Sequence, residues 1–206
     1  MSLKVQLCYI TDRHGVAPSA FIPQLHAAVQ AGVDLIQLRE KDLACRDLLG
    51  LARMAVEISR GTKTRIVVND RLDIALAAGS DGVHLGGHSV PPEVVRRYVD
   101  RSFLVGASCH SLEQGIAAEE GGADYILLGP VFGTPSKRRY GPPLGLNRLS
   151  EVANRIRIPV LALGGITVEK VKPCLKAGAA GIAAIRLFQE APVLADRVRA
   201  LRAQFD

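Results

Sequence analysis

Residues 125–145 read YILLGPVFGTPSKRRYGPPLG. The stretch opens as a short apolar run, Tyr125 to Leu128, closed by Gly129 and Pro130, which is the mark of a strand covered on both faces. Beyond it, Thr134, Ser136, Lys137, Arg138 and Arg139 put hydroxyls and positive charge into a segment too rich in proline and glycine to be core. Taken alone, that segment suits either an anion site or a solvated surface loop.

Outward from it the same unit recurs. Apolar runs of strand length are predicted at Leu7–Thr11, Leu35–Arg39, Arg65–Asn69, Gly82–Leu85, Phe103–Ser108, Val160–Leu163 and Gly181–Ile185. Helical patterns follow them, near Phe21–Ala31 and Ala44–Arg60, from Arg71, and from Pro91, a residue tolerated in a first turn. About eight strands alternating with about eight helices predict a parallel sheet closed as a (β/α)8 TIM barrel, one compact domain over residues 1–206. A doubly wound open sheet is the competing architecture, but it needs fewer strands, and no nucleotide-binding glycine fingerprint follows the first strand. Four related pieces, at 31–34, 78–82, 121–124 and 177–181, precede strands and resemble one helix-to-strand turn in which glycine supplies a left-handed cap.

With 206 residues, 48% of them hydrophobic, the chain can bury a sizeable core. No apolar run approaches the ~20 residues that span a bilayer, and MSLKVQLCYITDR lacks the apolar centre of a secretory signal, so a cytoplasmic protein without membrane contact is expected. Cys8, Cys45, Cys109 and Cys174 are scattered without zinc spacing, and reduced thiols with a packing role are their expected state. The net charge of +6 suits nucleic acid or phosphorylated small molecules. Aromatic residues are only 4%, no nucleic-acid-binding motif is present, and many arginines sit in ordinary helical positions, so small anions rather than nucleic acid are the expected partners. An oligomer is compatible with the sequence.

In such a barrel the chemistry lies where strands end. The second strand ends Gln37, Leu38, Arg39, Glu40, Lys41, and a two-residue period puts Gln37, Arg39 and Lys41 on one face with Leu38 and Glu40 on the other. The alternatives are cations gathered at a barrel mouth and an inward salt-bridge layer. The third strand ends Asn69, Asp70, where the carboxylate suits either Mg2+ against substrate phosphates or a helix cap. His84 on the fourth strand is expected to be a hydrogen-bonded core residue. On the fifth, Ser108 can donate to an anion at the mouth, whereas Cys109 and His110 face opposite ways and make a poor nucleophile and base. Gly164 and Gly165 after the seventh strand, and Ile185 and Arg186 at the end of the eighth, suit the phosphate site this fold often uses.

On these residues the chain resembles the thiamine phosphate synthase family. The likeness rests on Tyr-Ile-Thr-Asp at Tyr9, Gln-Leu-Arg-Glu-Lys at Gln37, Val-Asn-Asp-Arg at Val68, Gly-Val-His-Leu-Gly at Gly82, and Ser108 with His110. It continues through Gly-Pro-Val-Phe at Gly129, Thr-Pro-Ser-Lys at Thr134 and Gly-Gly-Ile at Gly164. The resemblance implies joining of a hydroxymethylpyrimidine diphosphate to a thiazole phosphate, giving thiamine phosphate and pyrophosphate with Mg2+ as cofactor. It further implies that Arg39, Lys41 and Lys137 hold the diphosphate, with Asn69 in support and Asp70 on the metal. Gln37 and Ser108 would lie along the substrate cavity, and Thr134, Ser136, Gly165, Ile185 and Arg186 would receive the thiazole phosphate.

The chain departs from the family pattern twice. Gly87, His88, Ser89 stand where the family usually has Gln-x-Asp, so a second metal carboxylate is replaced by Ser89, which can contribute only a hydroxyl or a water-mediated contact. Ile185-Arg186 replaces the family's Val-Ser. The thiazole tautomerase branch of the same superfamily is the alternative reading. There a His can occupy the position of Pro130, and proline transfers no proton. A non-catalytic binder of thiamine precursors is a third.

Overall fold

The computed structural model describes residues 5–133 and 142–205. Eight parallel strands pair in sequence order: β1 (Leu7–Ile10), β2 (Leu35–Leu38), β3 (Arg65–Asn69), β4 (Gly82–Leu85), β5 (Leu104–Cys109), β6 (Tyr125–Leu128), β7 (Val160–Leu163) and β8 (Gly181–Ala184). β8 also pairs with β1, which closes the sheet into the (β/α)8 barrel that the strand count predicts. Around it run α1 (Phe21–Gln30), α2 (Cys45–Ser59), α3 (Leu72–Ala78), α4 (Pro92–Val95), α5 (Leu112–Glu120), α6 (Gly145–Arg155), α7 (Val168–Lys176), α8 (Arg186–Gln189) and α9 (Leu194–Arg202). Among the described residues no helix is long and apolar enough to cross a membrane.

Alternation along each strand splits the core into two layers. Cys8, Leu35, Val67, Leu127, Leu161 and Ala183 fill the barrel interior, while Ile36, Leu38, Ile66, Val68, Ile126 and Leu128 pack outward under the helices. Because both faces are buried, the strands read as continuous apolar runs. Among the helices, α2 buries Leu48, Ala52, Ala55 and Ser59, spaced so that one stripe faces the sheet.

The recurrent helix-to-strand turn is real, with Gly32, Gly79, Gly122 and Gly178 all at positive φ. In three of its copies the residue before the strand is an aspartate that caps the neighbouring strand. Asp34 accepts from the N–H groups of Gln6 and Leu7, Asp81 from that of Ile66 and Asp124 from that of Val105. Asp124 also pairs with Arg96, whose guanidinium reaches the carbonyls of Gly122, Asp100 and Phe103. Asp124→Ala removes both functions at once and lowers stability by about 2 kcal/mol, measured by urea unfolding against wild type.

Several boundaries differ from the sequence expectation: β1 and β2 each end one residue early, at Ile10 and Leu38, and β5 begins one residue late, at Leu104. The helix predicted from Pro91 is the single turn α4, because Arg96 gathers the carbonyls of the following loop and turns the chain straight into β5. β5 runs on to Cys109. β8 stops at Ala184, Ile185 turns to helical geometry, and Arg186 opens the short helix α8 instead of ending the strand.

Candidate active site

At the C-terminal mouth of the barrel the end of β2 is fastened from beneath. Thr11, fully buried, accepts from the Arg39 N–H and donates to Glu40, whose other oxygen accepts from the Arg13 N–H. Glu40 is thus held away from the lumen, as its strand parity predicts. Gln37 shares the inward face, is 1% exposed, and its Nε2 has no hydrogen-bond partner among the described residues. A buried amide left in that state is a donor in want of an acceptor. Arg39 is half-buried and Lys41 exposed.

Asp70 is where the ends of β2, β3 and β4 meet. Its Oδ1 accepts from the Gly86 N–H at 2.8 Å and from the Ser89 hydroxyl. Its Oδ2 accepts from Asn69 Nδ2 at 2.6 Å and lies 3.5 Å from Lys41 Nζ. Partial burial works against ionisation, but the bonds from Ser89 and Gly86, the Lys41 charge and the Asn69 amide outweigh it and hold the carboxyl below its usual range. Asp70 sits at φ 62°, left-handed backbone that a non-glycine residue adopts only where its surroundings fix it. The helix-capping alternative does not hold. Arg71 is the N-cap residue of α3, without a side-chain cap bond, and Asp70 turns toward β4 instead.

The donors around Asp70 bear on Mg2+. An ionised carboxylate and a neighbouring hydroxyl suit a hard dication that takes its remaining ligands from phosphates and water, and the adjacent Lys41 suits the phosphates. Among the described residues no group of three or more His, Cys, Asp or Glu side chains could hold a metal. One carboxylate with a hydroxyl beside it fits such an ion where ligands from outside these residues complete its shell.

Within the lumen, His84 is 1% exposed, with Nδ1 3.2 Å from the Tyr125 hydroxyl and Nε2 2.9 Å from Ser108 Oγ. Burial pushes its pKa down to about 3; the Asp70 charge opposes the shift and the Arg39 charge assists it, so the ring is neutral at physiological pH. It is the hydrogen-bonded core histidine the sequence suggests. The Tyr125 partner, however, is invisible to a reading of local pattern. Ser108 is half-buried and adjoins a cavity of about 550 Å³ that Ser89 also lines. Cys109 faces outward under the helices, its thiol pushed up to about 12 by burial, and His110 is bonded to the Gly129 carbonyl, so the two form no nucleophile and base.

After β7, Gly164 and Gly165 both have positive φ, and a Cβ on Gly165 would lie 2.7 Å from the Gly133 carbonyl oxygen. Lys170, which the sequence reading missed, donates to the Gly165 carbonyl at 3.0 Å and stands 4.7 Å from the Phe132 ring centre, tying this loop to the end of β6. Only its place in the first turn of α7 could have marked it. Ile185 is half-buried and Arg186 exposed, following the strand that pairs with β7. Thr134, Ser136 and Lys137 lie outside the described residues. Of the cysteines, Cys8, Cys109 and Cys174 are buried and free, as a packing role requires. Cys45 departs from that expectation, being exposed at the start of α2 with Sγ 3.1 Å from an Arg71 nitrogen.

The family model described as thiamine monophosphate synthase matches residues 7–188. A thiamine-phosphate synthase of Roseiflexus castenholzii is 40% identical over 93% of this chain and 84% of its own, and one of Methanoculleus marisnigri is 42% identical over 86% and 87%. The solved structure of a thiamine phosphate pyrophosphorylase from Pyrococcus furiosus superposes with a TM-score of 0.87 at 32% identity, covering 98% of this chain and 95% of that one. A match that runs from the first strand into the short helix after the last takes in every described strand end discussed above, and the chain belongs to the thiamine monophosphate synthase family.

Proposed function

We propose that the protein is a thiamine-phosphate synthase, a transferase that joins 4-amino-2-methyl-5-hydroxymethylpyrimidine diphosphate to 4-methyl-5-(2-phosphoethyl)thiazole. The products are thiamine phosphate and pyrophosphate. The observation that carries this reading is the meeting of an ionised Asp70 with Lys41, Asn69 and Ser89 at the mouth of a barrel of this family. In this mechanism the bond between the pyrimidine methylene and the diphosphate oxygen breaks with its electron pair on oxygen. The thiazole nitrogen lone pair then forms the new bond to that methylene. Such a reaction needs stabilisation of a leaving anion and no protein nucleophile.

Arg39, Lys41 and Lys137 are assigned to the diphosphate, with Asn69 in support. Gln37, whose buried amide nitrogen has no partner among the described residues, and Ser108 are assigned to the pyrimidine substrate. Thr134, Ser136, Gly165, Ile185 and Arg186 are assigned to the thiazole phosphate, at the strand ends where this fold often takes phosphate. Asp70, with Ser89 beside it, would hold Mg2+, which when bound neutralises charge on the diphosphate oxygens. With one carboxylate in place of two, Mg2+ affinity depends on the diphosphate supplying further oxygens. The protein would work as one barrel domain in the cytoplasm, as a monomer or an oligomer, on phosphorylated small molecules and without nucleic acid or membrane.

The test is incubation of purified protein with both substrates and Mg2+, following thiamine phosphate and pyrophosphate. The expected result is both products in equal amounts, lost on chelation of the metal. Conversion of the thiazole carboxylate isomer without condensation would replace this reading with the tautomerase. Binding of either precursor without turnover would leave a non-catalytic binder.

A further inference from the structure

The chain Tyr125–His84–Ser108 crosses the barrel lumen over three neighbouring strands. It has room to do so because β5 carries Gly106 between its partners. A Cβ there would fall 2.6 Å from His84 Nδ1 and nearer still to the Tyr125 ring. A neutral imidazole offers one N–H and one bare nitrogen, so each neighbour meets either a donor or an acceptor. The Tyr125 side chain is wholly buried, and His84 Nδ1 is the hydrogen-bond partner of its hydroxyl among the described residues. If Nδ1 carried the proton, the tyrosine oxygen would accept it and the tyrosine O–H would be left buried with nothing to donate to. That loss costs about 1–3 kcal/mol. The opposite arrangement satisfies both groups: Tyr125 donates to a bare Nδ1, the ring proton sits on Nε2, and Nε2–H donates to Ser108 Oγ at 2.9 Å.

We infer that Tyr125 and His84 are positioning residues that fix the Ser108 hydroxyl as a donor toward an oxygen anion bound at the barrel mouth. With a lone pair of Oγ taken by Nε2–H, the serine hydrogen remains to be given. Ser108 is half-buried at the end of β5, at the same C-terminal end of the barrel as Arg39, Lys41 and Asn69. A ligand presenting phosphate oxygens can take up that hydrogen. The inference rests on the proposed function only for the identity of that anion, the diphosphate portion of the pyrimidine substrate.

The test uses full-length protein whose histidines carry the NMR-active nitrogen isotope, with His84 assigned by its loss in His84→Gln. The expected result is an imidazole protonated at Nε2 and bare at Nδ1, preserved in Ser108→Ala and joined by an Nδ1-protonated population in Tyr125→Phe. Wild-type protein protonated at Nδ1, or Tyr125→Phe keeping the single wild-type form, would overturn it. Titration with inorganic pyrophosphate and Mg2+ gives the ligand side. Ser108→Ala and Tyr125→Phe are each expected to bind about fivefold more weakly, with Ser108→Thr restoring affinity. Unchanged affinity in both would also overturn it. Should the wild type make no thiamine phosphate, the proposed function fails, while the tautomer and the pyrophosphate titration still decide this inference.

Discussion

Asp70→Asn lowers the rate of pyrophosphate release about a hundredfold or more at saturating substrates, while the protein unfolds close to the wild-type temperature. The two halves of that expectation come from different physics. Asparagine is among the few residues that tolerate left-handed backbone, so the φ of 62° survives the change. Its amide oxygen can still accept from the Gly86 N–H and the Ser89 hydroxyl. What disappears is the negative charge. The amide nitrogen would then face Asn69 Nδ2 and Lys41 Nζ, donors against a donor, and the single carboxylate available to Mg2+ is gone. Steady-state assays over a range of Mg2+ concentrations check this. Wild-type turnover with an unchanged Mg2+ response would remove Asp70 from the mechanism.

Gly106→Ala is expected to cost about 3 kcal/mol of folding stability. The new methyl has nowhere to go. On its two sides stand a fully buried tyrosine ring and a fully buried imidazole, both anchored by their hydrogen bond, so neither can swing into solvent as a surface side chain would. For a chain of this size the drop in melting temperature is roughly 2–4 °C per kcal/mol, so a shift of about 6–12 °C is expected by calorimetry or circular dichroism. A change below about 2 °C would mean that the Tyr125–His84 packing is looser than described.

Much of the barrel was legible because its strands are buried on both faces. Leu35 to Leu38 and Val160 to Leu163 read as unbroken apolar runs, and the turns before them repeat a glycine that only left-handed geometry explains. Strand parity also placed Gln37 inward and Glu40 outward. Where the reading slipped, a side chain acted at a distance. α4 ends after one turn because Arg96 reaches carbonyls well beyond it, and Ile185 leaves the strand as the chain enters α8.

The site divides in the same way. Lys41 and Asp70 could be nominated from the amino-acid order, since successive parallel strands put their ends side by side, and Ser89 only from the family resemblance. That Asp70 is an ionised hub and not a helix cap required coordinates, because the choice depends on Gly86 and Ser89 coming within reach across the β3–β4 seam. The amino-acid sequence by itself determined the kind of fold, which residues face the lumen and which charges gather at its mouth, because periodicity and composition act locally along each strand. Only the tertiary structure decided that His84, Gly106 and Tyr125 lie at one height. Height is set by register between strands, and register follows from the closure of the whole barrel.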